Sequence, residues 1–437
     1  MAVQPRVSAL AAGLRPTTVR YRILGLILAV TAVNYLDRTI LSIAMPAIKD
    51  EFGLSGTQQG ALLSAFSWAY VLCQIPGGWL LDRYGAKLTY GYAILFWSLA
   101  TCAIAAARGF AGFLGLRITL GIAEAPSFAG NNKMVTAWFP SKERARATAV
   151  YNSGNFIGLA LFLPLLAWLV TSYGWHSIFL LLGLAGVVVS MLWFRFAKST
   201  PAEHPKVNDA ERALTAADAA PQEKRKATRA DLKYLLTKRR MWGMYLAQFC
   251  TNGVMWFFLT WFPSYLVEAK GMAFVKAGFL ASLPYLAALV GVLFSGALSD
   301  RMLKRGVSRT VARKVPMMLG FAGSASIILG NYTSAPAAVI TVMSVAFFAQ
   351  GMSAIGWTLA SEIAPLRMMG LSGGVFGFFT NLGGAIVPIV VGVILDASGS
   401  FNGALVFVAI LAVAGFFAYL VLIDKVERLD PDAEAAR

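Results

Sequence analysis

Long apolar stretches recur along the whole chain and alternate with short polar segments. Each is close to the roughly 20 residues that an α-helix needs to cross the hydrocarbon core of a bilayer. The twelve stretches lie at residues 21–46, 58–80, 88–107, 111–137, 145–170, 174–197, 241–267, 275–298, 312–331, 336–359, 370–395 and 402–423. The pattern therefore predicts an all-α integral membrane protein with twelve transmembrane helices.

A polar segment divides the twelve stretches into two sets of six. Residues 198–240 are rich in Ala, Lys, Arg and Glu, which is typical of a solvated linker. We therefore predict an N-terminal six-helix half at 21–197, a cytoplasmic linker at 198–240 and a C-terminal six-helix half at 241–423. Cytoplasmic tails are expected at 1–20 and 424–437.

A short motif is repeated at matching positions of the two halves. Gly78 to Lys87 reads Gly-Trp-Leu-Leu-Asp-Arg-Tyr-Gly-Ala-Lys, and a second Gly-x-x-x-Asp-Arg sequence begins 218 residues later, at Gly296. Duplicated six-helix units with a substrate site between them at the membrane midplane are a transporter architecture that moves by rocking. We predict a gating role for the motif residues Gly78, Asp82, Arg83, Gly85, Lys87, Gly296, Asp300 and Arg301.

The chemistry of this motif suits a contact that opens and closes. Gly77, Gly78 and Gly85 permit close helix approach and a tight turn. Asp82 can accept hydrogen bonds from a neighbouring helix N-terminus or from a basic side chain. The alternative is an ordinary cytoplasmic turn whose Asp, Arg and Lys side chains are solvated.

Composition and charge exclude several classes of protein. With 58% hydrophobic and 14% charged residues, the chain is too apolar for a water-soluble fold. The net charge of +17 does not indicate nucleic-acid binding, because Lys and Arg are concentrated in alternate loops. That distribution predicts cytoplasmic termini. The three cysteines have no metal or redox spacing, and the sequence has no nucleophile–base set or phosphate loop, so we predict no metal, no cofactor and no enzymatic activity.

Four charged residues of the N-terminal half lie at membrane depth, away from the ends of their apolar stretches, where each costs roughly 2.5–3.5 kcal/mol to insert into a bilayer. Asp37 and Arg38 are in the first stretch, and Arg117 and Glu124 are in the fourth. In the fourth stretch, successive residues of one set are 4, 3 and 4 positions apart, which predicts that they lie on the same face of a helix. The set is Arg117, Gly121, Glu124 and Phe128. Because isolated charges are costly in lipid, we expect the four ionisable groups to pair and to share one cavity.

The planar guanidinium of Arg grips a carboxylate with two hydrogen bonds and keeps its charge, so these residues suit the binding of an organic anion. When a substrate carboxylate engages an Arg, the acid that the Arg had neutralised loses its counter-charge and binds a proton. We therefore predict that Arg38 is the main substrate anchor and that Arg117 is a second anchor or an internal counter-ion. Asp37 and Glu124 are the predicted proton sites. The alternative is a structural role, as two ion pairs that orient helices: Asp37–Arg38 and Arg117–Glu124.

Several motifs together make the chain resemble a known family. They are Asn34-Tyr-Leu-Asp-Arg38, Phe66-Ser-Trp-Ala-Tyr70, Gln74 to Arg83, Gly121 to Phe128, Trp256 to Pro263 and Gly370 to Phe376. With them, the chain resembles the major facilitator superfamily across all twelve stretches, and within it the anion:cation symporter branch and its bacterial proton-coupled galactonate and glucarate carriers. The resemblance implies a transporter of the bacterial inner membrane, with proton sites at Asp37 and Glu124.

The resemblance also implies which polar side chains contact the substrate. Positions at or near the substrate-lining ones of the sugar-acid carriers are occupied by Tyr35, Tyr70, Asn155, Gln248 and Trp357, the last as a wall. Asn381, another polar residue at membrane depth, is predicted to bind substrate hydroxyls with them. The alternative for each Asn and Gln is an interhelical hydrogen bond, because these residues also hold membrane helices together.

We therefore predict a proton-coupled symporter that imports a sugar acid, an aldonate or aldarate such as galactonate or glucarate, by alternating access. Its predicted partners are a carboxylate substrate, protons and membrane lipids, without nucleic acid, and it is expected to function as a monomer. The seventh stretch has no Arg or Lys, which favours a monoacid, whereas the resemblance of Ser398 to Ala404 to glucarate carriers favours a diacid. Alternatives are a transporter or exchanger of another organic anion, such as tartrate or an aromatic acid, and a non-transporting membrane sensor.

Overall fold

The structure is a computed structural model that describes residues 15–216, 228–365 and 368–430. The described residues form helices joined by turns and a polar linker, without a β-strand. The helices are α1 Val19–Phe52, α2 Gly56–Tyr84, α3 Ala86–Ile104, α4 Gly109–Glu124, α5 Ser127–Trp138, α6 Ser141–Tyr173, α7 Trp175–Phe196, α8 Asp209–Ala216, α9 Arg229–Thr237, α10 Arg239–Thr260, α11 Phe274–Lys304, α12 Arg309–Ser324, α13 Pro336–Met352, α14 Gly356–Ile363, α15 Met369–Ser398 and α16 Asn402–Phe417. Shorter helical segments are Pro201–Glu203, Phe262–Ser264, Tyr265–Ala269, Ala325–Tyr332, Ser353–Ile355 and Ala418–Leu422. Most of the predicted N-terminal tail and parts of the predicted linker and C-terminal tail lie outside the described residues.

Every predicted apolar stretch coincides with one helix or with consecutive helical segments, which confirms the all-α class. Among the described residues, eight helical spans are long and apolar enough to cross a membrane by length and composition alone. They are Val19–Phe52, Lys142–Tyr173, Trp175–Phe196, Val275–Lys304, Arg309–Tyr332, Pro336–Ile363, Leu371–Ser398 and Asn402–Leu422. The fourth predicted stretch is divided, so that α4 has only 16 residues.

The division between α4 and α5 falls at Pro126. Proline lacks a backbone N–H and cannot continue the hydrogen-bond ladder of a helix. Arg117, Gly121 and Glu124 lie on the buried face of α4, as their spacing predicted. The prediction was wrong for Phe128, which lies beyond the break and is 44% exposed, because the register of α4 does not continue through the turn.

The glycines in and next to the first motif loop, which is the Gly78 to Lys87 sequence, have different environments. Gly85 has φ of +82° between α2 and α3, which is the predicted tight turn, and this backbone region favours glycine. A Cβ at Gly77 would lie 3.1 Å from the ring of Pro126, so the predicted close approach occurs there. The prediction was wrong for Gly78, because a Cβ there would meet no described atom within 4 Å, and Gly296 is equally open.

The described chain packs into two compact units. The first comprises Met1–Arg38, Leu72–Leu159 and His176–Glu223, as far as these are described, and the second comprises Thr39–Val71, Ala160–Trp175 and Lys224–Arg437. These units are groups of packed segments, so the division into two six-helix halves, a linker and two tails remains a prediction.

Aromatic side chains and glycines hold each unit together. In the first unit, Tyr90 of α3 packs edge-on against Trp193 of α7, with ring centroids 4.9 Å apart. In the second unit, Phe258 stacks on Phe347 at 4.0 Å. There, α10 and α15 are in backbone contact, since a Cβ at Gly383 would lie 2.9 Å from Phe249 O. Such packing fixes the positions of the helices that carry the polar residues.

Candidate functional site

A buried ion pair joins α1 to α4 in the first compact unit. Arg38 Nε lies 3.1 Å from Glu124 Oε2, and the two side chains are 9% and 0% exposed. The Arg38 guanidinium also lies over the ring of Tyr35, 5.0 Å from its centroid. The two ion pairs that the sequence suggested as a structural alternative were Asp37–Arg38 and Arg117–Glu124, whereas the structure pairs Arg38 with Glu124 across helices.

Asp37 contacts a different neighbour, α3. Its Oδ1 accepts a hydrogen bond from Thr101 Oγ1 at 2.9 Å, and both residues are buried. Successive residues of an α-helix point about 100° apart, so Asp37 meets α3 while Arg38 meets α4. Sequence reasoning missed Thr101, because a hydroxyl in an apolar helix often bonds its own backbone, as Thr31 does to Ile27 O at 2.8 Å.

Arg117 completes a cluster of four charged residues in the first unit. It lies two turns before Glu124 on the buried face of α4 and is 0% exposed. Electrostatic interactions link Arg117 with Glu124, Asp37 and Arg38. When both acids are ionised, the formal charges of the cluster cancel, which lowers the cost of burying them. The structure therefore brings together all four ionisable residues that the sequence placed at membrane depth.

Three acceptor atoms near this cluster or on the adjoining helix are buried without a hydrogen-bond partner among the described residues. They are Asp37 Oδ2, Glu124 Oε1 and Asn155 Oδ1. A buried polar atom without a partner costs about 1–3 kcal/mol. Such atoms are rare in folded proteins. The first unit therefore combines buried guanidinium groups with buried carboxyl and amide oxygens.

Asn155 lies on α6, a helix that packs closely against α1. A Cβ at Gly154 would lie 3.1 Å from Leu28 O, and a Cβ at Gly158 would lie 3.3 Å from the Cβ of Ala32. Asn155 lies between these glycines and is 9% exposed. Asn155, which the family resemblance implied as a substrate contact, is therefore buried on a helix that packs against α1.

The other predicted substrate residues lie in the second compact unit. Tyr70 is buried and stacks on Phe66, with ring centroids 5.6 Å apart. Gln248 is 7% exposed on α10, and its Oε1 lies against Gly356 at the start of α14. Both positions are compatible with the predicted polar lining, and their role in binding remains a prediction.

Trp357 and Asn381 differ in exposure and in hydrogen bonding. Trp357 is 41% exposed and packs edge-on against Phe376 at 4.8 Å. Asn381 Nδ2 donates to Gly377 O at 2.8 Å, one turn earlier in its own helix α15. This bond is neither the substrate contact nor the interhelical bond that the sequence suggested for Asn381, and its role in binding remains a prediction.

Asp82 in the first motif loop bonds a basic side chain. Lys133 Nζ on α5 lies 2.9 Å from Asp82 Oδ1 and donates to Leu81 O at 2.7 Å. Of the two kinds of partner predicted for Asp82, the structure therefore shows the basic side chain. Lys133 itself was missed, because it follows Asp82 by 51 residues and no local spacing connects them.

Arg313 of α12 contacts the second motif loop, which is the Gly296 to Arg301 sequence. Its NH2 group lies 2.9 Å from Glu362 Oε1, and its NH1 group donates to Ser299 Oγ at 3.0 Å. The NH1 group also lies 3.7 Å from Asp300 Oδ1. Each motif Asp thus has a basic partner within its own compact unit, and the gating role of the motif residues remains a prediction.

The part of the chain that the structure describes contains no arrangement of side chains suited to bind a metal ion. No group of three or more His, Cys, Asp or Glu side chains there is arranged to hold a metal ion. Cys73, Cys102 and Cys250 are free thiols. The chemistry of the candidate site is that of guanidinium, carboxyl and neutral polar groups.

Replacing Thr101 by Val is expected to lower the free energy of unfolding by about 1.5–3 kcal/mol, because the isosteric change removes a hydrogen bond to a buried carboxylate. Thr101→Ser keeps the hydroxyl and is the matched control, with a much smaller expected loss. Unfolding of the purified variants in lipid–detergent micelles measures both. Equal losses in the two variants would contradict the assigned bond between Thr101 and Asp37.

Known relatives of the chain are bacterial transporters. A probable galactarate/D-glucarate transporter of Bacillus subtilis is 42% identical over 440 residues, which cover 96% of this chain and 96% of that protein. A D-galactonate transporter of Escherichia coli is 42% identical over 422 residues, which cover 95% of this chain and 98% of that protein. The chain is closely related to both.

Solved structures share the fold. A bacterial homologue of the human lysosomal transporter Spinster has a TM-score of 0.73 at 18% identity, covering 95% of this chain and 99% of that one. A D-xylose–proton symporter has a TM-score of 0.73 at 15% identity, covering 94% of this chain and 99% of that one. Residues 27–388 match the Major Facilitator Superfamily. The chain is therefore a multi-pass membrane protein that belongs to the Major Facilitator Superfamily, a family of transporters and not of enzymes.

Proposed function

We propose that this protein is a proton-coupled symporter that imports a sugar acid, an aldonate or an aldarate, across the bacterial inner membrane. It functions as a monomer by alternating access, with both termini in the cytoplasm. The observation that carries the proposal is the buried cluster of Asp37, Arg38, Arg117 and Glu124 in a chain whose relatives are named as sugar-acid transporters.

Arg38 anchors the carboxylate of the substrate. Its guanidinium keeps its charge at all physiological pH values and matches a carboxylate in geometry. The Tyr35 ring below it and the Glu124 carboxylate beside it restrict its orientation. Because the anchor is held in advance, less conformational entropy is lost when the substrate binds. Arg117 is the internal counter-ion that keeps the two acids in the cluster neutralised.

The balance of charge in the cluster explains why a proton accompanies the substrate. Two Arg and two ionised acids have no net charge, and a bound carboxylate adds one negative charge in a low-dielectric interior. A proton bound by Asp37 or Glu124 restores neutrality. Substrate and proton therefore raise each other's affinity by the same factor, as thermodynamic linkage requires.

The exchange of partners at Arg38 gives the transport cycle. The substrate carboxylate replaces Glu124 as the acceptor of Arg38, and Glu124 then takes up a proton because it has lost its ion-pair partner. Asp37, which is held by Thr101, is the second proton site. After the substrate and the proton leave on the cytoplasmic side, the pair between Arg38 and Glu124 re-forms.

The substrate class is proposed from the relatives and from the polar residues. Relatives of this chain are named for galactarate, D-glucarate and D-galactonate. D-Galactonate has one carboxylate and galactarate and D-glucarate have two, and all three have several hydroxyl groups, so they need an Arg anchor and many neutral partners. Neutral partners are supplied in this proposal by Tyr35, Tyr70, Asn155, Gln248 and Asn381, with Trp357 as an apolar wall.

Uptake by purified protein in proteoliposomes tests the proposal. Labelled galactonate, glucarate, tartrate and benzoate are offered with the vesicle interior more alkaline than the medium. We expect at least one of the two sugar acids to accumulate and a protonophore to abolish the accumulation. Benzoic acid crosses a bilayer unaided, so benzoate is compared with protein-free vesicles, and we expect the protein to add nothing to its entry. Accumulation of tartrate, or of benzoate above the level in protein-free vesicles, without either sugar acid would contradict the substrate class. Rapid counterflow would indicate an exchanger if a pH gradient drove no uptake against the concentration gradient of the substrate.

A further inference from the structure

In the second compact unit, a carboxylate at the end of one helix caps the start of another. Asp396, on the last turn of α15, accepts hydrogen bonds from the backbone N–H groups of Gly56 and Thr57 at 2.6 and 2.7 Å. It also accepts a hydrogen bond from the hydroxyl of Thr57 at 2.5 Å. Gly56 is the first residue of α2, and it is separated from Asp396 by 340 positions in the chain. Asp396 therefore makes the kind of contact with a helix N-terminus that the sequence suggested for Asp82.

The position of Asp396 is explained by α2 and not by its own helix. The last turn of an α-helix carries a partial negative charge, so a carboxylate there is unfavourable. The first turn of α2 has the opposite character, because its leading N–H groups have no partner within the helix and carry partial positive charge. An acid at the end of α15 is therefore stabilised only while the start of α2 lies against it.

The two helix ends are in backbone contact beside this cap. A Cβ at Gly60 would lie 2.5 Å from Pro388 O, and a Cβ at Gly56 would lie 2.8 Å from Gly392 O. Gly56 and Gly60 are one turn apart on α2, as Gly392 and Asp396 are on α15. Small residues at this spacing let membrane helices approach closely. The glycines therefore form the seam along which α2 and α15 touch, and Asp396 closes its end.

A second contact lies at the same end of the protein and is weaker than the cap. Lys49, in the last turn of α1, lies 2.5 Å from Glu268 in the segment after α10. These side chains are 35% and 27% exposed, so solvent and salt screen the ion pair. Asp396 is also exposed, but it makes three directed bonds to a fixed helix end. Water can replace those bonds when the helices separate, which makes the cap reversible.

We propose that Asp396 is the latch of a gate between α2 and α15. The latch lies at the end of α2 opposite to the first motif loop, which is the outer end in the orientation proposed above. It rests on the proposed alternating-access mechanism, because a pathway that opens at this end needs a contact that breaks and re-forms. In the closed state Asp396 caps α2, and in the open state water solvates the carboxylate and the N–H groups of Gly56 and Thr57.

Pulsed electron paramagnetic resonance measures the opening of this gate directly. In a chain with Cys73, Cys102 and Cys250 replaced by Ser, spin labels are attached to Asp50→Cys and Asn402→Cys, which are exposed positions at this end of the second unit. We expect Asp396→Ala, which removes all three bonds, to raise the ratio of long to short distances by about tenfold or more. Asp396→Asn keeps one acceptor oxygen but has no charge, so we expect a smaller rise in the same direction. Glu268→Gln removes a carboxylate from the same end and is the matched control, with a change of less than about twofold.

Two results would overturn the latch. One is an unchanged distance distribution in Asp396→Ala, and the other is an equal shift in Glu268→Gln, which would assign the effect to general surface charge. Asp396→Asn keeps the shape of the side chain and removes its charge, so it tests the latch even where the Ala variant folds poorly. The measurement needs neither substrate nor a proton gradient, so the failure of the sugar-acid assignment and the failure of the latch are distinguishable.

Discussion

Replacing Arg38 by Ala is expected to lower sugar-acid uptake by about 100-fold or more. Hydrogen bonds to a charged group contribute about 1.5–3 kcal/mol each, and every 1.4 kcal/mol is tenfold in affinity, so the loss of two such bonds is sufficient. The initial rate of uptake into proteoliposomes, at a substrate concentration far below half-saturation, measures the effect. Normal uptake by this variant would show that the anchor lies elsewhere.

Two substitutions serve as controls for the anchor. Arg38→Lys keeps the positive charge but not the planar fork, so we expect uptake between that of the parent and that of Arg38→Ala. Arg195→Ala removes an exposed Arg near the end of α7, and uptake is expected to be unchanged. Together they separate the geometry of the guanidinium from its charge.

The loss of uptake in Arg38→Ala must also be separated from unfolding. Removing one partner of a buried ion pair destabilises a protein by about 3–5 kcal/mol, because the other charge stays buried. The double variant Arg38→Met, Glu124→Gln removes both charges of the pair, and we expect it to recover most of the stability without recovering uptake. Recovery of uptake in the double variant would contradict the anchor role of Arg38.

Asp37→Asn and Glu124→Gln are each expected to abolish uptake against a concentration gradient. The amides are close in shape to the acids, and the Asn oxygen can still accept the Thr101 hydroxyl, but neither side chain can carry a proton through the cycle. Counterflow, in which labelled substrate exchanges across the membrane without net transport, requires binding and movement only, so we expect it to continue. Uptake with and without a pH gradient, measured beside counterflow, shows the difference.

The matched control for these acids is Asp209→Asn in the linker helix α8, where the side chain is 63% exposed. Its uptake is expected to follow that of the parent protein at every gradient. If Asp37→Asn and Glu124→Gln both accumulated substrate as the parent does, the coupling mechanism would be wrong. If only one of them lost accumulation, the proton site would be that residue alone.

Two kinds of feature could be predicted from the sequence. The helices follow from long apolar stretches, which have no stable alternative in lipid because backbone groups must bond within the helix. The members of the charged cluster follow from the cost of insertion, which makes Asp37, Arg38, Arg117 and Glu124 conspicuous in apolar surroundings. Both inferences use local information only, and the structure agrees with both except at the break between α4 and α5.

The pairing of these residues could not be predicted, because it depends on which helices are neighbours. Asp37 and Arg38 are adjacent in sequence, yet one contacts α3 and the other contacts α4. The cap of α2 by Asp396 is more remote still, with 340 positions between the partners. Nothing in the spacing of residues within one helix specifies contacts of this kind.

The break between α4 and α5 was visible in the sequence and was nevertheless missed. Pro126 follows Glu124 by two positions, and a proline has no backbone N–H with which to continue the hydrogen-bond ladder of a helix. The spacing that joined Phe128 to Arg117 assumed a continuous helix through this point. A proline within an apparent helical stripe is therefore reason to end the stripe at the preceding turn.

Proton uptake by the purified protein on addition of substrate is the most direct test of the central claim, that binding of a carboxylate at Arg38 makes Asp37 or Glu124 bind a proton. A pH indicator follows a weakly buffered solution, without a membrane gradient, when the transported sugar acid is added. We expect protons to be taken up in proportion to the substrate bound, and the double variant Asp37→Asn, Glu124→Gln to take up none while still binding substrate. Substrate binding by the parent protein without proton uptake would contradict the account.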